Sequence, residues 1–177
     1  IFNLSPSPVS FDYETSGIRP YQEGHKIWTI SVCRMGEKAF AFPFSYPGVW
    51  SSQQFEQLKS QWIAFLLSKG VKKVTQNLQY EDKWGRWILK TETQGWYWDT
   101  MNTSHFLDER PKSTSLDYQV FVNWGYEYGD DIAPFKKAVN GEFNRIHEAP
   151  LKSLLIYNGL DSLFTSKLQA RQFDQIY

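Results

Sequence analysis

The stretch PVSFDYETSG, residues 8–17, constrains the fold more than any other part of the chain. Its first half reads as a short strand, and the twofold repeat of a strand puts Asp12 and Glu14 on one face. Two like charges on one face repel each other, and aspartate is a poor strand former. A lone D-x-E of this kind is commonly an edge strand with a solvated acidic face. The alternative is that something positive sits against both carboxylates. The rest of the chain has to decide.

Residues 27–34 and 38–44 read as two strands joined at Gly36, forming a meander with the first. Pro47 and Gly48 break that pattern, and Ser51 with Gln54 makes a capping box. Phe55, Leu58, Trp62, Phe65 and Leu66 follow at helical spacing, with Gly70 as the stop. A short strand is predicted over 71–76 and a helix over 80–93, with further helical pieces over 99–107 and 116–124. Gly125, Gly129, Asp130 and Asp131 mark a loop. The last helix is the clearest, because Leu151, Leu154, Leu155, Leu163, Phe164 and Leu168 form an apolar stripe just after Pro150. No repeat, low-complexity tract or linker interrupts the chain. Three strands followed by helix, strand and helices imply a single α/β domain over residues 1–177 with a mixed sheet.

A chain of 177 residues can bury a real core, and 41% apolar against 21% charged residues argues against disorder. No run approaches the roughly 18 apolar residues of a membrane span, so no membrane partner is expected, and nothing resembles a signal peptide. Cys33 is the only cysteine, which excludes an internal disulfide and fits a reducing interior. His25, His105 and His147 match no zinc spacing. With a formal net charge of zero, no bulk basic field announces a duplex binder. An enzyme that grips only a strand end needs no such field. The chain starts at Ile1 and stops within a helical pattern at Tyr177, so it is expected to be a piece of a larger protein.

Two further stretches share the acidic character of the first. QNLQYED, residues 76–82, places carboxylates just past a strand at a helix start, where acids also serve as ordinary caps against the helix dipole. YNGLD, residues 157–161, puts Tyr157 and Asp161 four apart on one helical face, and Gly159 between them weakens the helix by roughly 1 kcal/mol relative to alanine. Such a glycine makes sense where another backbone or a ligand comes close. Tyr126 and Asp130 repeat the spacing but sit among glycines without helical periodicity, and are set aside. Together the three stretches suggest one site with Asp12, Glu14, Glu81 and Asp161. Such a cluster either takes up protons or binds cations. Oxygen-only ligands favour Mg²⁺ or Mn²⁺, and two such ions can stabilise the attacking and leaving oxygens of a phosphoryl displacement.

FDYETSG, QNLQYE and YNGLD, in this order, resemble the three motifs of the 3′–5′ exonuclease domain of family A DNA polymerases. That domain belongs to the DEDDy branch of the DnaQ-like, ribonuclease H-like nucleases. WDTM, residues 98–101, resembles a segment that the family carries between the second and third motifs. The motifs run from residue 11 to residue 161, nearly the whole chain, and look more like those of bacteriophage or bacterial polymerases than of ribonuclease D relatives. The resemblance implies that Asp12, Glu14 and Asp161 are metal ligands, with Asp12 bridging two ions, and that Tyr157 orients the attacking water. It places Thr15, Ile18 and Asn77 at the substrate, with Ile18 wedged beside the terminal base and Asn77 positioning the second motif. That motif usually ends in aspartate, whereas this chain has Glu81 followed by Asp82.

The implied fold is a mixed five-stranded sheet flanked by helices. The implied activity is removal of nucleotides from a single-stranded DNA 3′ end, as proofreading for a polymerase domain in the parent chain. The isolated domain is expected to be a monomer, in the cytoplasm of a bacterial or phage-infected bacterial cell. An RNA 3′ exonuclease is the alternative enzyme, and an inactive exonuclease-like domain kept for DNA binding or structure is the alternative class. The eight tryptophans and ten tyrosines could stack on bases, but most aromatics in such a domain are core.

Overall fold

The computed structural model describes residues 7–138 and 143–177. The opening stretch forms β1 (Val9–Thr15), which lies at the centre of the sheet rather than at an edge. β2 (Ile27–Arg34) and β3 (Lys38–Pro43) continue from it as the expected antiparallel meander. On the other side β4 (Lys73–Thr75) and β5 (Trp96–Asp99) run parallel to β1, giving the order β3-β2-β1-β4-β5. Parallel neighbours need crossover connections, and α1 (Ser52–Leu67) and α2 (Leu78–Ile88) supply them. α3 (Thr100–Leu107), α4 (Leu116–Trp124), the short α5 (Ala133–Lys136) and the 26-residue α6 (Leu151–Ile176) complete the domain. None of the described helices is long and apolar enough to cross a membrane.

The alternation of β1 divides the protein into two unlike layers. Val9, Phe11 and Tyr13 face the apolar layer, packed with Ile30 and Val32 of β2, Trp62, Phe65 and Leu66 of α1, and Trp84 of α2. The Phe11 ring lies 5.6 Å from Trp62, 5.9 Å from Phe65 and 5.8 Å from Trp96, and the Trp62 indole donates to the Tyr13 hydroxyl at 2.9 Å. Ser10, Asp12 and Glu14 face the other way, paired in register with Cys33, Ser31 and Thr29. α6 packs across this polar face. Ser10 donates to the Ser162 carbonyl at 2.6 Å, Ser31 to the Asn158 carbonyl at 2.6 Å, and Thr29 to the Asn158 side chain at 2.9 Å. The side of α6 against the sheet is therefore largely polar, with Asn158, Asp161, Ser162, Thr165 and Gln172 all buried. Of the predicted apolar stripe, Leu154, Phe164 and Leu168 are buried, while Leu151, Leu155 and Leu163 are only partly covered.

Several boundaries differ from the sequence reading. Ser51 and Gln54 make both hydrogen bonds of the capping box, but α1 ends at a Ser68 cap, before Gly70. The strand expected over 71–76 is only Lys73–Thr75. α2 stops at Ile88 rather than 93, because the chain turns through Lys90 with φ +54° and Thr91 returns its amide to the Gly85 carbonyl. β5 was not anticipated. Its residues Trp96–Asp99 lead directly into α3, and Asp99 is the cap of that helix rather than part of it. Gly95 enters β5 at φ +74°, where a Cβ would lie 2.6 Å from the Val71 carbonyl oxygen.

Phe11 holds β1 to α1 and to β5, so Phe11→Ala should cost ~3–5 kcal/mol of unfolding free energy, as for other buried aromatics truncated to alanine. Urea unfolding measures it. A loss below ~1 kcal/mol would mean that the ring cluster is not the centre of the apolar layer.

Candidate active site

The polar layer opens at the C-terminal half of β1. Asp12 and Glu14 project there from the strand, and Asp161 meets them from α6. One carboxylate oxygen from each lies within 4.8 Å of the other two. Asp161 is buried, while Asp12 and Glu14 keep part of their surface open to solvent. Asn158, one helical turn before Ser162, donates to the Asp12 carboxylate at 2.8 Å and fixes its orientation. Gly159 lets the helix approach β3, with the Ala41 and Ala39 methyls 3.7 and 4.0 Å from the position a Cβ would take. The glycine anticipated to admit a close neighbour thus admits the sheet.

Glu81 approaches the same carboxylates from the first turn of α2. Asn77 caps that helix, accepting the Tyr80 amide at 3.2 Å, and so sets where Glu81 emerges. Glu81 is 3% exposed, and its Oε2 has no hydrogen-bond partner. Asp82 points elsewhere and forms an ion pair with Arg86 at 2.5 Å, one turn along α2. Of the two acids, Glu81 is the buried one on which the charges of Asp12 and Glu14 act, while Asp82 is partly buried and pairs with Arg86.

Tyr157 lies one turn before Asp161, with its hydroxyl accepting from the Lys136 ammonium of α5. The loop before α5 contributes Tyr128, whose hydroxyl donates to Asp161 Oδ1 at 2.5 Å. Gly129 has φ +91°, and a Cβ there would come 2.7 Å from the Tyr157 ring, so this loop and the ring are in direct contact. Beside Glu14 a cavity of about 250 Å³ is lined by Thr15, Gly17, Ile18, Tyr80, Lys136 and Asn144, among others. Ile18 is 64% exposed at its wall. Thr15 is buried, its hydroxyl 2.5 Å from that of Tyr80 and donating to the Gly17 carbonyl at 2.8 Å, so its side chain shapes the turn that carries Ile18.

All four carboxyls are held above their ordinary range. Burial is the main cause for each. Asp12 is raised further by Asp161, Glu14 by Asp12 and Asp161, and Glu81 by Asp12 and Glu14. Lys136 opposes the rise at Asp12, Glu14 and Asp161. Asp161, supported by Tyr128, Lys136 and Tyr157, is pushed up only to about 6. Tyr128 and Tyr157 are themselves raised by burial and then by Asp161, so both hydroxyls keep their protons at neutral pH. Such a cluster is poised to exchange protons for cations. Its all-oxygen donors and an unpartnered Glu81 oxygen suit a hard divalent ion.

No protein-family model matches the sequence, and no curated protein sequence does. Among solved structures, the chain is similar to NrnC of Brucella melitensis bound to pGG. That match has 13% identity and a TM-score of 0.71, and covers 98% of this chain and 75% of that one. NrnC with bound Mg²⁺ matches at 12% identity and a TM-score of 0.67, over the same shares. The POL domain of Pol1 from M. smegmatis, in complex with DNA primer-template and dNTP, matches at 11% identity and a TM-score of 0.60. That match covers 99% of this chain but 25% of that one. The likeness is one of fold: a ribonuclease H-like mixed five-stranded sheet flanked by helices, as the motifs implied.

The structure brings Asp12, Glu14 and Asp161 together, with Tyr157 one helical turn before Asp161. Glu81 lies outside that trio but close enough for their charges to act on it, and Asn77 caps the helix that carries it. Sequence reasoning missed Tyr128, Lys136 and Asn158. Asn158 was inside a quoted motif, where its burial against a strand rich in serine and threonine was the available signal. Tyr128 and Lys136 lie in a segment without periodicity and left none.

The raised carboxyls set the pH dependence. A folded state that holds protons the unfolded chain releases loses stability as pH rises through the folded pKa values. For Asp161 that window runs from its ordinary value near 4 to about 6, and the other three extend it upward. In EDTA the Tm should fall between pH 5 and pH 8, and Mg²⁺ or Mn²⁺ should restore it. Asp12→Asn should raise the Tm at pH 8 in EDTA by a few degrees and reduce the metal-induced gain. A Tm in EDTA that rises from pH 5 to pH 8 would contradict the cluster's mutual repulsion.

Proposed function

We propose that the protein is a metal-dependent 3′–5′ exonuclease, taking the 3′ end of a single DNA strand and releasing 5′-monophosphates one at a time. The observation that carries this reading is the convergence of Asp12, Glu14 and Asp161 within 4.8 Å. Tyr157 stands at the edge of that cluster and a nucleotide-sized recess lies beside Glu14. Asp12, Glu14 and Asp161 would hold divalent ions, with Glu81 reaching them from α2. Bound there, such ions supply positive charge for the attacking and leaving oxygens of a phosphoryl displacement.

The chain's own residues have the remaining work. The recess between Glu14, Ile18 and Asn144 receives the terminal nucleotide, with Ile18 against its base. The Tyr157 hydroxyl orients a water for in-line attack, a contribution of positioning rather than of proton transfer. The water oxygen forms a bond to phosphorus, and the bond from phosphorus to the penultimate 3′ oxygen breaks. The departing oxygen ends as a 3′-hydroxyl, and the water's surplus proton passes to solvent.

Proofreading within a longer polymerase is the biological role we propose, supported by the motif resemblance and by the likeness to Pol1. A second reading is an RNA or short-oligonucleotide 3′ exonuclease, favoured by the likeness, over 98% of this chain, to an NrnC structure containing pGG. The carboxylates serve either polymer. Contacts to the 2′-hydroxyl in the recess would separate them.

End-labelled single-stranded DNA and RNA, incubated with Mg²⁺, Mn²⁺ or EDTA, test the reading. Stepwise shortening of DNA from the 3′ end is expected with metal and none in EDTA. Faster shortening of RNA would favour the second reading. Asp12→Ala should reduce cleavage by several orders of magnitude. Glu81→Ala should impair it strongly, and Glu81→Asp should retain substantial activity with a water bridging the gap. Asp82→Ala should change little, because its partner is a surface arginine. Full activity in EDTA would sink the metal-dependent mechanism. An Asp82→Ala loss exceeding that of Glu81→Ala, in folded proteins, would displace Glu81 from the site.

A further inference from the structure

Lys136 occupies a position that the carboxylates alone do not explain. It is an exposed residue of the short α5, and its ammonium reaches the edge of the site. The ammonium donates to the Tyr157 hydroxyl and lies 4.0 Å from the centre of the same ring. Its charge acts on Asp12, Glu14 and Asp161 together, and its side chain lines the recess beside Glu14. A cation this close to a cation-binding centre opposes the ions that the centre needs. Its presence calls for a compensating use.

We propose that Lys136 is a positioning residue of the nuclease reaction, acting through Tyr157. The inference rests on the exonuclease reading above. An ammonium has three donors and no acceptor, so the Tyr157 oxygen accepts from it and the phenolic proton turns away from Lys136. A phenolic hydroxyl has two in-plane orientations. Lys136 selects the one that aims the proton away from itself, into the space beside Asp161 where the attacking water must lie. Asp161 takes its hydrogen bond at Oδ1 from Tyr128, which leaves the Tyr157 proton for that water. Lys136 also offsets charge when the reaction brings it in. Four carboxylates and two divalent ions cancel formally, and the scissile phosphate then adds negative charge to a centre that is neutral without Lys136. Gly129 completes the arrangement. The turn at φ +91° leads into α5 and touches the Tyr157 ring, so one short segment places both the ring and the cation.

The test is a double-mutant cycle on the 177-residue protein, combining Lys136→Met with Tyr157→Phe, by single-turnover cleavage at saturating Mg²⁺. Lys136→Met should lower the rate on the order of ten-fold with little change in KM, as for loss of an orienting contact. In the Tyr157→Phe background it should add almost nothing, because the hydroxyl it orients is gone. Lys136→Arg should recover part of the rate. Calorimetric titration with Mn²⁺ gives a readout free of catalysis, and Lys136→Met should bind Mn²⁺ several-fold more tightly because one repelling charge has left. Circular dichroism checks that each variant folds. Multiplying effects of the two substitutions would overturn the proposal, as would an unchanged rate in Lys136→Met, or an effect confined to KM. In each of those cases the unmodified protein still cleaves, and the exonuclease reading stands. If the unmodified protein neither binds Mn²⁺ nor shortens either polymer, the exonuclease reading fails and the role of Lys136 fails with it.

Discussion

Asp12 cannot be relieved by solvent alone, because β1 is the central strand and α6 lies across its face. That constraint shapes the whole polar layer. An apolar helix laid over Asp12 and Glu14 would desolvate both without replacing a single hydrogen bond. α6 instead brings Asn158 to Asp12, accepts from Ser10 and Ser31 at its own carbonyls, and accepts from Thr29 at the Asn158 side chain. Small residues on both sides allow the close approach, with Gly159 facing Ala39 and Ala41. The adhesive strength of the domain comes from the opposite face, where the rings around Phe11 are packed. The two layers divide the labour: one stabilises the sheet, and the other holds charge at an energetic cost.

The division explains why the acids survive in a stable fold. Burial raises each carboxyl and repulsion adds to the rise at Asp12, Glu14 and Glu81, and the domain answers with hydrogen bonds from Tyr128 and Asn158 and with the charge of Lys136. None of these partners neutralises Glu81, which keeps one buried oxygen without a donor. A centre satisfied internally would gain little from binding an ion. This one gains the removal of repulsion at several groups at once, so affinity for cations and instability without them have the same origin.

The parts of the fold that were legible in the sequence are those with a period or a cap. The twofold repeat of FDYET, the capping box at Ser51 and Gln54, and the helix after Pro150 each correspond to an element with nearly the expected limits. β5 was not legible because four residues with three aromatics carry no usable period, and the aspartate that ends them is also a helix cap. The overrun of α2 has a similar cause: residues 89–93 contain nothing that forbids a helix, and only tertiary packing around Gly85 and Thr91 turns the chain. Among site residues, the carboxylates could be found because strand and helix geometry places them on defined faces. Tyr128 and Lys136 reach the site from a loop and a four-residue helix, whose direction is set by Gly129 and the Tyr157 ring rather than by any local pattern.

The pair Glu81 and Asp82 shows how local geometry can assign a role where residue type does not. Consecutive residues on a helix diverge by about 100°, so only one of them can face β1. The Asn77 cap fixes the phase of α2, and that phase sends residue 81 inward and residue 82 toward Arg86. Glutamate is longer than aspartate by one methylene, which suits an acid that approaches from a neighbouring helix while Asp12 and Glu14 project from the strand itself. The Tyr13 amide stabilises the Glu81 carboxylate, tying it to the strand between the two acids of β1. An aspartate at 81 would have the same direction and a shorter reach, leaving a gap the size of a water. Glu81 is therefore placed by the backbone it grows from, and its length adapts the side chain to a position that the fold has already chosen.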